Sequence, residues 1–313
     1  MAMRVVFFGN SQSDFSNRYF QALLATHCDL VGVVDVPPED RNSTNPQGNE
    51  WVSFPRAAVQ HNIPAFEPGD PNQVGFIEQV KALEPDLILS IGYPKIIHTA
   101  LLNVPSRLAV NFHASLLPAY RGKHPVYWCL RNGERWSGLT VHIMDPGIDT
   151  GDLLYQVRVH TRRNDTVSSL YKRIMERSTK LVSQLLVDLE NNTLNRIPQP
   201  QSGVSYYSSI TEEDFHLDWT LPAETLRRWI IITPGRCFTI VRGERISFNH
   251  ARAIHQATQS IPGEIMRINP RSAQIATGDG MLLLEQLRLP DHRQLSLAAF
   301  CRQVGLASGD LFE

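Results

Sequence analysis

An amide, an imidazole and a carboxylate stand out among the polar side chains because together they can carry out acyl transfer. Asn111 and His113 lie two residues apart at the end of an apolar run, so a strand would point both to the same face of a sheet. An amide N–H can stabilise a developing oxyanion, and an imidazole can donate to it or relay a proton. Taken alone, such a pair is more often a hydrogen-bonded cap on a strand.

Two further segments favour chemistry over capping. Ser115–Pro118 forms an apolar turn that is followed by Arg121 and a glycine. Asp145–Asp152 is an acidic, glycine-rich loop between two predicted strands, and it can return the carboxylate of Asp149 to face His113. With these segments present, we predict a catalytic site.

Three neighbouring side chains have open roles. Arg121 either binds an anion of the acceptor or braces the turn, with nothing to separate the two. His124 lies close enough in sequence to line an acceptor pocket. His142 alternates with apolar neighbours on a predicted strand, which favours a structural role.

The elements around these residues predict an α/β fold. The first two-thirds of the chain alternate β-branched apolar runs with helical periodicity, which is typical of a Rossmann-like, mostly parallel sheet. Ligands bind at the carboxyl ends of such strands. Short strands separated by turns follow, which predicts a small OB-like β-barrel. We therefore expect a catalytic domain at 1–190, a polar linker at 191–209 and a β-rich domain at 210–313.

Five strands and four helices matter for the comparison with the structure. We predict strands at Asp86–Ile91, Arg107–His113, Leu139–Met144 and Leu153–Val159, and a further long strand at Met281–Leu289. We predict helices at Ser16–Ala25, Gln73–Leu83 and Glu224–Ile232, and one long helix from Thr166 to Leu189.

Composition limits the class of protein. The 313 residues are 42% hydrophobic and carry a formal net charge of −1, so the strongly basic balance typical of nucleic-acid binding is absent. The apolar run Val5–Phe8 is too short for a signal-peptide core, and there is no apolar stretch of about 18 residues. We expect a cytoplasmic protein that does not bind membranes. The four cysteines show no zinc-site spacing, so no metal site is predicted.

The stretch Asn111-Phe-His113-Ala-Ser-Leu-Leu-Pro118-Ala-Tyr-Arg121-Gly122 resembles the signature of the folate-dependent formyltransferases. Asp149 falls where that family carries its catalytic aspartate. Met3–Val36 resembles the family's first strand-helix-strand unit, and Ile210–Trp219 resembles the opening of the C-terminal domain of methionyl-tRNA formyltransferases. The resemblance spans nearly the whole chain.

The resemblance implies that a formyl group passes from 10-formyltetrahydrofolate to a primary amine. Asn111 and His113 would bind the tetrahedral oxyanion, and Asp149 would orient His113 and help to move the proton. The residues that the resemblance places against the folate are Ile91, Gly92, Tyr93, Asp145 and Gly147. Those that we expect to meet the acceptor are Asn10, Ser115, Arg121 and His124.

The acceptor is best predicted from charge. The segment Glu39–Glu50 carries one cation, Arg41, against three acids, whereas the tRNA-modifying members of the family are typically basic there. The chain from Tyr206 onward has no lysine. Because tRNA is a polyanion, we expect a small amine, such as a nucleotide-linked amino sugar.

Alternatives remain open at this point. The arginines at 227, 228, 242 and 245 keep methionyl-tRNA as an alternative acceptor. A catalytically silent folate-binding module is a second alternative, against which the intact Asn111, His113 and Asp149 argue. A dehydrogenase is disfavoured because no G-x-G-x-x-G sequence follows Gly9-Asn10. The sequence does not indicate the oligomeric state.

Overall fold

Buried runs of β-branched and aromatic residues build a seven-stranded sheet. The computed structural model describes residues 2–38 and 54–312. The sheet order is β3-β2-β1-β4-β5-β7-β8, parallel from β3 to β5, with β7 antiparallel to both of its neighbours. The strands are β1 (Arg4–Gly9), β2 (Asp29–Val34), β3 (Ala65–Phe66), β4 (Leu87–Ile91), β5 (Leu108–His113), β6 (Arg121–Gly122), β7 (Trp136–Ile143), β8 (Leu153–His160) and β9 (Tyr206–Tyr207). β6 and β9 pair with each other outside this sheet.

Helices connect these strands. They are α1 (Asp14–Leu24), α2 (Phe54–Gln60), α3 (Val74–Ala82), α4 (Thr99–Leu102), α5 (Pro125–Arg131), α6 (Val167–Ser178) and α7 (Leu181–Glu190). The prediction of one helix from Thr166 to Leu189 was wrong, because the chain breaks between α6 and α7. The Ser178 hydroxyl donates to the carbonyl of Ile174 at 2.6 Å, and such back-bonding to the preceding turn often bends a helix.

The core fixes which side of β5 is available for chemistry. All five residues of β4 are buried, as expected for the middle of a parallel sheet. On β5, Phe112 is buried and its ring lies 5.2 Å from that of Tyr19 on α1. Because side chains alternate along a strand, Asn111 and His113 project to the opposite face.

Antiparallel strands follow in the C-terminal part of the chain. Two four-stranded sheets, β10-β11-β16-β17 and β12-β15-β14-β13, form a small barrel-like domain. The predicted single strand Met281–Leu289 divides at Glu285, and its two halves join different sheets. The strands are β10 (Phe238–Val241), β11 (Glu244–Phe248), β12 (Arg252–Ile254), β13 (Ile265–Ile268), β14 (Ala273–Ala276), β15 (Met281–Leu284), β16 (Gln286–Arg288) and β17 (Gln294–Ser296), with helices α8 (Ala223–Ile232) and α9 (Leu297–Val304).

The chain forms two units. The first comprises Met1–Pro125, Trp136–His160 and Tyr171–Tyr207, and the second comprises Val126–Arg135, Thr161–Leu170 and Ser208–Glu313. The predicted polar loop Glu39–Glu50 lies outside the described residues. Within residues 2–38 and 54–312, every helix is too short or too polar to cross a bilayer.

A buried hydroxyl pair beneath β5 gives a test of this core. The Tyr19 hydroxyl lies 2.6 Å from that of Ser178, whose own hydrogen goes to the Ile174 carbonyl, so Tyr19 is the donor. Ser178→Ala leaves a buried donor without an acceptor, which should cost about 1–3 kcal/mol of unfolding free energy, whereas Tyr19→Phe should cost about 0.5–1.5 kcal/mol. Urea titration of both variants shows which one loses more unfolding free energy. A greater loss in Tyr19→Phe would contradict this assignment of donor and acceptor.

Candidate active site

Cross-strand pairing brings two of the polar side chains together. Asn111 on β5 lies directly opposite His142 on β7, so both occupy the same face of the sheet. The Asn111 Nδ2 lies 3.2 Å from His142 Nε2 and 3.4 Å from Asp149 Oδ1. The His142 Nδ1 donates to the Ile143 carbonyl at 2.8 Å, which leaves Nε2 of the neutral ring to accept from the amide.

The Asp149 carboxylate completes the cluster. Its Oδ2 accepts from the backbone N–H of Gly122 at 2.8 Å and lies 3.6 Å from His113 Nδ1. Its Oδ1 lies 3.4 Å from His142 Nε2. The structure thus brings Asn111, His113 and Asp149 together and adds His142.

The electrostatics of the cluster favour a neutral imidazole beside a carboxylate. Burial lowers the pKa of His113 below 6.5, although the nearby Asp149 opposes the shift. Burial alone would raise the pKa of Asp149, but the two imidazoles and the Gly122 N–H together lower it well below its usual range. The Gly122 N–H donates whatever the charge of His113, so Asp149 stays ionised at neutral pH.

The tautomer of His113 decides what the ring can do. Its Nε2 lies 2.7 Å from the Tyr120 carbonyl, which can only accept, so Nε2 carries the hydrogen. In the neutral ring Nδ1 therefore has a lone pair that faces Asp149. The ring is set to accept a proton at Nδ1, where the carboxylate would stabilise the resulting imidazolium. Its only N–H is directed at Tyr120 rather than at a position for an oxyanion.

The residues predicted to meet the acceptor lie in turns near the strand ends. Asn10 caps its own turn by accepting from the Gln12 N–H at 2.9 Å. Ser115 is buried and donates to the Ala119 carbonyl at 2.7 Å. His124 is exposed and has a φ of 52°.

Arg121 braces the structure. Its Nη2 donates to Gln199 Oε1 at 2.7 Å, and its Nε is buried without a hydrogen-bond partner. Of the two roles left open for Arg121 by the sequence, this contact supports the structural one.

The residues predicted to meet the folate lie in two segments. Ile91 ends β4, and its carbonyl accepts from the Ser16 hydroxyl at 2.6 Å. Gly92 has a φ of 68°, and the ring of Tyr93 packs edge-on against Phe8 at 5.4 Å. In the second segment, Asp145 Oδ1 accepts from the N–H of Gly147 at 3.1 Å. Since Ser90 pairs with Asn111, the first segment runs alongside the cluster.

Three contributors were not predicted as site residues. His142 could have been found from an antiparallel β5–β7 register, which the sequence alone does not reveal. The Gly122 N–H acts through the backbone and leaves no side-chain signal. Gln199 lies in the segment predicted to be a linker, yet it is buried and donates to the carbonyls of Asp149 and Gly151 at 2.8 and 2.7 Å.

The fold and the cluster define the class of protein. An open, mostly parallel sheet that presents an amide, imidazoles and a carboxylate at a strand end is an α/β enzyme scaffold suited to proton-coupled group transfer. The formyl transferase model matches residues 3–186, and the model of the formyl transferase C-terminal domain matches residues 209–305. The chain belongs to the formyl transferase family.

Individual relatives extend this result. The chain is 34% identical to a methionyl-tRNA formyltransferase from Synechococcus sp. strain JA-3-3Ab, over 99% of this chain and 98% of that protein. The methionyl-tRNA formyltransferase from Methylacidiphilum infernorum isolate V4 is also 34% identical, over 98% of this chain and 97% of that protein. The N-formyltransferase from Helicobacter canadensis, solved with folinic acid and dTDP-3-aminofucose, shares the fold with a TM-score of 0.68 at 19% identity, covering 92% of this chain and 100% of that chain.

The coupling between His113 and Asp149 can be measured directly. Asp149→Asn removes the carboxylate that favours protonation of His113, so the pKa of His113, already below 6.5, should fall further. Titration of the imidazole by nitrogen-15 NMR measures the change. A His113 pKa that rises or stays constant in the variant would contradict the pairing.

Proposed function

We propose that the chain transfers a formyl group from 10-formyltetrahydrofolate to a primary amine at the Asn111–His113–Asp149 cluster. The observation that carries this proposal is the geometry of His113, whose Nε2 is bound to the Tyr120 carbonyl at 2.7 Å while its Nδ1 faces Asp149 at 3.6 Å. Formylation of an amine releases a proton from the attacking nitrogen, and this pair is suited to receive it.

The proposed steps give each side chain a defined role. The amine nitrogen attacks the formyl carbon, which forms the new C–N bond and turns the carbonyl oxygen into an oxyanion. The Asn111 Nδ2 stabilises the oxyanion with the hydrogen that makes the long 3.4 Å contact to Asp149. His113 Nδ1 takes the proton from the attacking nitrogen, and Asp149 stabilises the imidazolium.

Collapse of the tetrahedral intermediate completes the transfer. The bond between the formyl carbon and the folate nitrogen breaks, and the proton held by His113 passes to that departing nitrogen. The ring returns to its neutral state, so each turnover begins and ends with the same protonation. His142 holds the Asn111 amide in place through its Nε2.

The folate would lie against Ile91–Tyr93 and the Asp145–Gly147 turn. Support comes from the register, since Ser90 pairs with Asn111 and the segment after it therefore borders the cluster. Gly92 has a φ of 68°, and a Cβ at this position would lie 2.6 Å from the Ser16 hydroxyl oxygen, so the turn that follows β4 requires glycine. The Helicobacter canadensis relative was solved with folinic acid, a formylated folate.

For the acceptor we propose a small amine, such as an amino sugar linked to a nucleotide. The four arginines that kept tRNA as an alternative already have partners within the protein. Arg227 is buried against Glu224, and Arg228 donates to the Arg131 carbonyl at 3.1 Å. Arg242 donates to the Val304 carbonyl, and Arg245 forms an ion pair with Glu212.

Methionyl-tRNA is the second candidate acceptor. It is supported by the 34% identity to methionyl-tRNA formyltransferases over 98–99% of the chain, including the C-terminal domain. The charge of the segment 39–50 and the paired arginines weigh against it.

Asn111→Ala tests the proposed oxyanion contact. Loss of one such donor should lower kcat by about 10²–10³-fold while the KM for the folate changes little. Steady-state kinetics with 10-formyltetrahydrofolate as the varied substrate separate the two constants. A raised KM with an unchanged kcat would place Asn111 in ground-state binding instead.

The acceptor can be identified by comparing two assays. With 10-formyltetrahydrofolate as donor, we expect rapid formylation of nucleotide-linked amino sugars and slow formylation of methionyl-tRNA. Activity should change little between about 50 and 200 mM salt, because a small acceptor displaces few counterions. Fast, salt-sensitive formylation of methionyl-tRNA would overturn the small-amine proposal. Folate binding without transfer to any amine would instead indicate a catalytically silent module.

A further inference from the structure

The loop that carries Asp149 holds a conformation that needs support. Asp149 has a φ of 54°, in the left-handed region that costs a residue other than glycine roughly 1 kcal/mol or more. The Asp145 carboxylate accepts from the Gly147 N–H and the Thr150 hydroxyl, one before and one after Asp149 in the chain. The Asp152 carbonyl accepts from the Ile143 N–H at 2.9 Å at the end of the loop, but none of these contacts reaches the main chain of Asp149 itself.

Gln199 provides that support. Its Nε2 places both hydrogens on the loop, one on the Asp149 carbonyl at 2.8 Å and one on the Gly151 carbonyl at 2.7 Å. Its Oε1 accepts from Arg121 at 2.7 Å. The side chain is 9% exposed, so these bonds form largely away from competing water.

The residues after Gln199 hold the opposite side of the cluster. β9 pairs in parallel with β6, and the Ser205 hydroxyl accepts from the Tyr120 N–H at 2.8 Å. The Tyr120 carbonyl receives the His113 N–H, and the Gly122 N–H binds Asp149. The segment 199–207 therefore fixes the main chain on both sides of the His113–Asp149 contact.

We propose that Gln199 is a positioning residue that fixes Asp149 against His113 through the carbonyls of the Asp149 loop. The proposal rests on the proposed function, in which Asp149 acts on His113. It assigns a role in the reaction to a residue of the segment between the two family matches, which end at 186 and resume at 209.

Two variants separate hydrogen bonding from volume. Gln199→Ala removes the amide, whereas Gln199→Glu keeps the volume and the contact to Arg121 but cannot donate to the two carbonyls. Because a displacement of about 1 Å in a catalytic group can cost 10²-fold, we expect kcat to fall by about 10–10²-fold in both. The KM for 10-formyltetrahydrofolate should change by less than about threefold, because Gln199 is not proposed to contact the folate in its ground state.

Titration of His113 gives a readout that a general loss of stability would not produce. The groups facing this ring are Asp149 and His142, and the carboxylate favours protonation. If the carboxylate moves away in Gln199→Ala, the pKa of His113 falls. The acidic limb of the pH dependence of kcat then moves to lower pH. Nitrogen-15 NMR measures the same shift in the absence of any substrate.

Gln156→Ala is the matched control. Gln156 is also a glutamine whose Nε2 donates twice, to the Leu117 carbonyl at 2.7 Å and to the Thr140 hydroxyl at 3.0 Å, and both of these partners lie outside the Asp149 loop. We expect this variant to lose comparable stability in thermal unfolding while His113 titrates as in the unaltered protein.

The outcomes separate the inference from the function. An unchanged His113 pKa in Gln199→Ala, or an equal fall in kcat in Gln156→Ala, would overturn the positioning role. If the unaltered protein formylates no amine but Gln199→Ala still shifts the titration of His113, the proposed function fails and the positioning role stands. A fall in kcat confined to Gln199→Ala, with Gln199→Glu fully active, would also overturn the role, because donation to the carbonyls would then be unnecessary.

Discussion

The arrangement depends on keeping a carboxylate charged in a place where charge is costly. The Asp149 side chain is only 11% exposed, and burial of an ionised group without partners costs several kcal/mol. The compensation comes from the two imidazoles, from the Gly122 N–H at 2.8 Å and, at longer range, from the Asn111 amide. These groups must be held in place, because the carboxylate has little access to water.

A strand that runs against the rest of the sheet makes the site possible. Because β7 is antiparallel to β5, His142 lies opposite Asn111, and the end of β7 lies next to Val110. The loop that follows β7 can therefore return Asp149 to the cluster. The amide then donates to the His142 nitrogen, and His142 in turn is fixed by its bond to the Ile143 carbonyl. The antiparallel pair thus orients the amide beside Asp149 through two hydrogen bonds.

The sequence predicts those parts of the site that depend on local pattern. Alternation along a single strand places Asn111 and His113 on one face, and the family signature identifies Asp149 despite its distance in the chain. Features that depend on pairing between distant segments were missed. β6 and β9 are two residues long each, too short for any periodicity, and they exist only because they pair with each other. Gln199 lies in a polar stretch whose composition is that of a linker, and only its buried contacts distinguish it.

The same distinction between composition and contacts applies to the acceptor. A count of arginines in the C-terminal part of the chain leaves tRNA binding open, since arginine is a preferred partner of phosphate. Binding of a polyanion gains affinity when cationic groups displace condensed counterions, and that gain requires cations that are not already committed. To bind phosphate, Arg227 would have to break its ion pair with Glu224 and leave a buried position. The contact with phosphate would first have to offset the free energy lost in doing so. A small amine imposes no such cost, because its recognition needs only a few polar contacts beside Asn111 and His113.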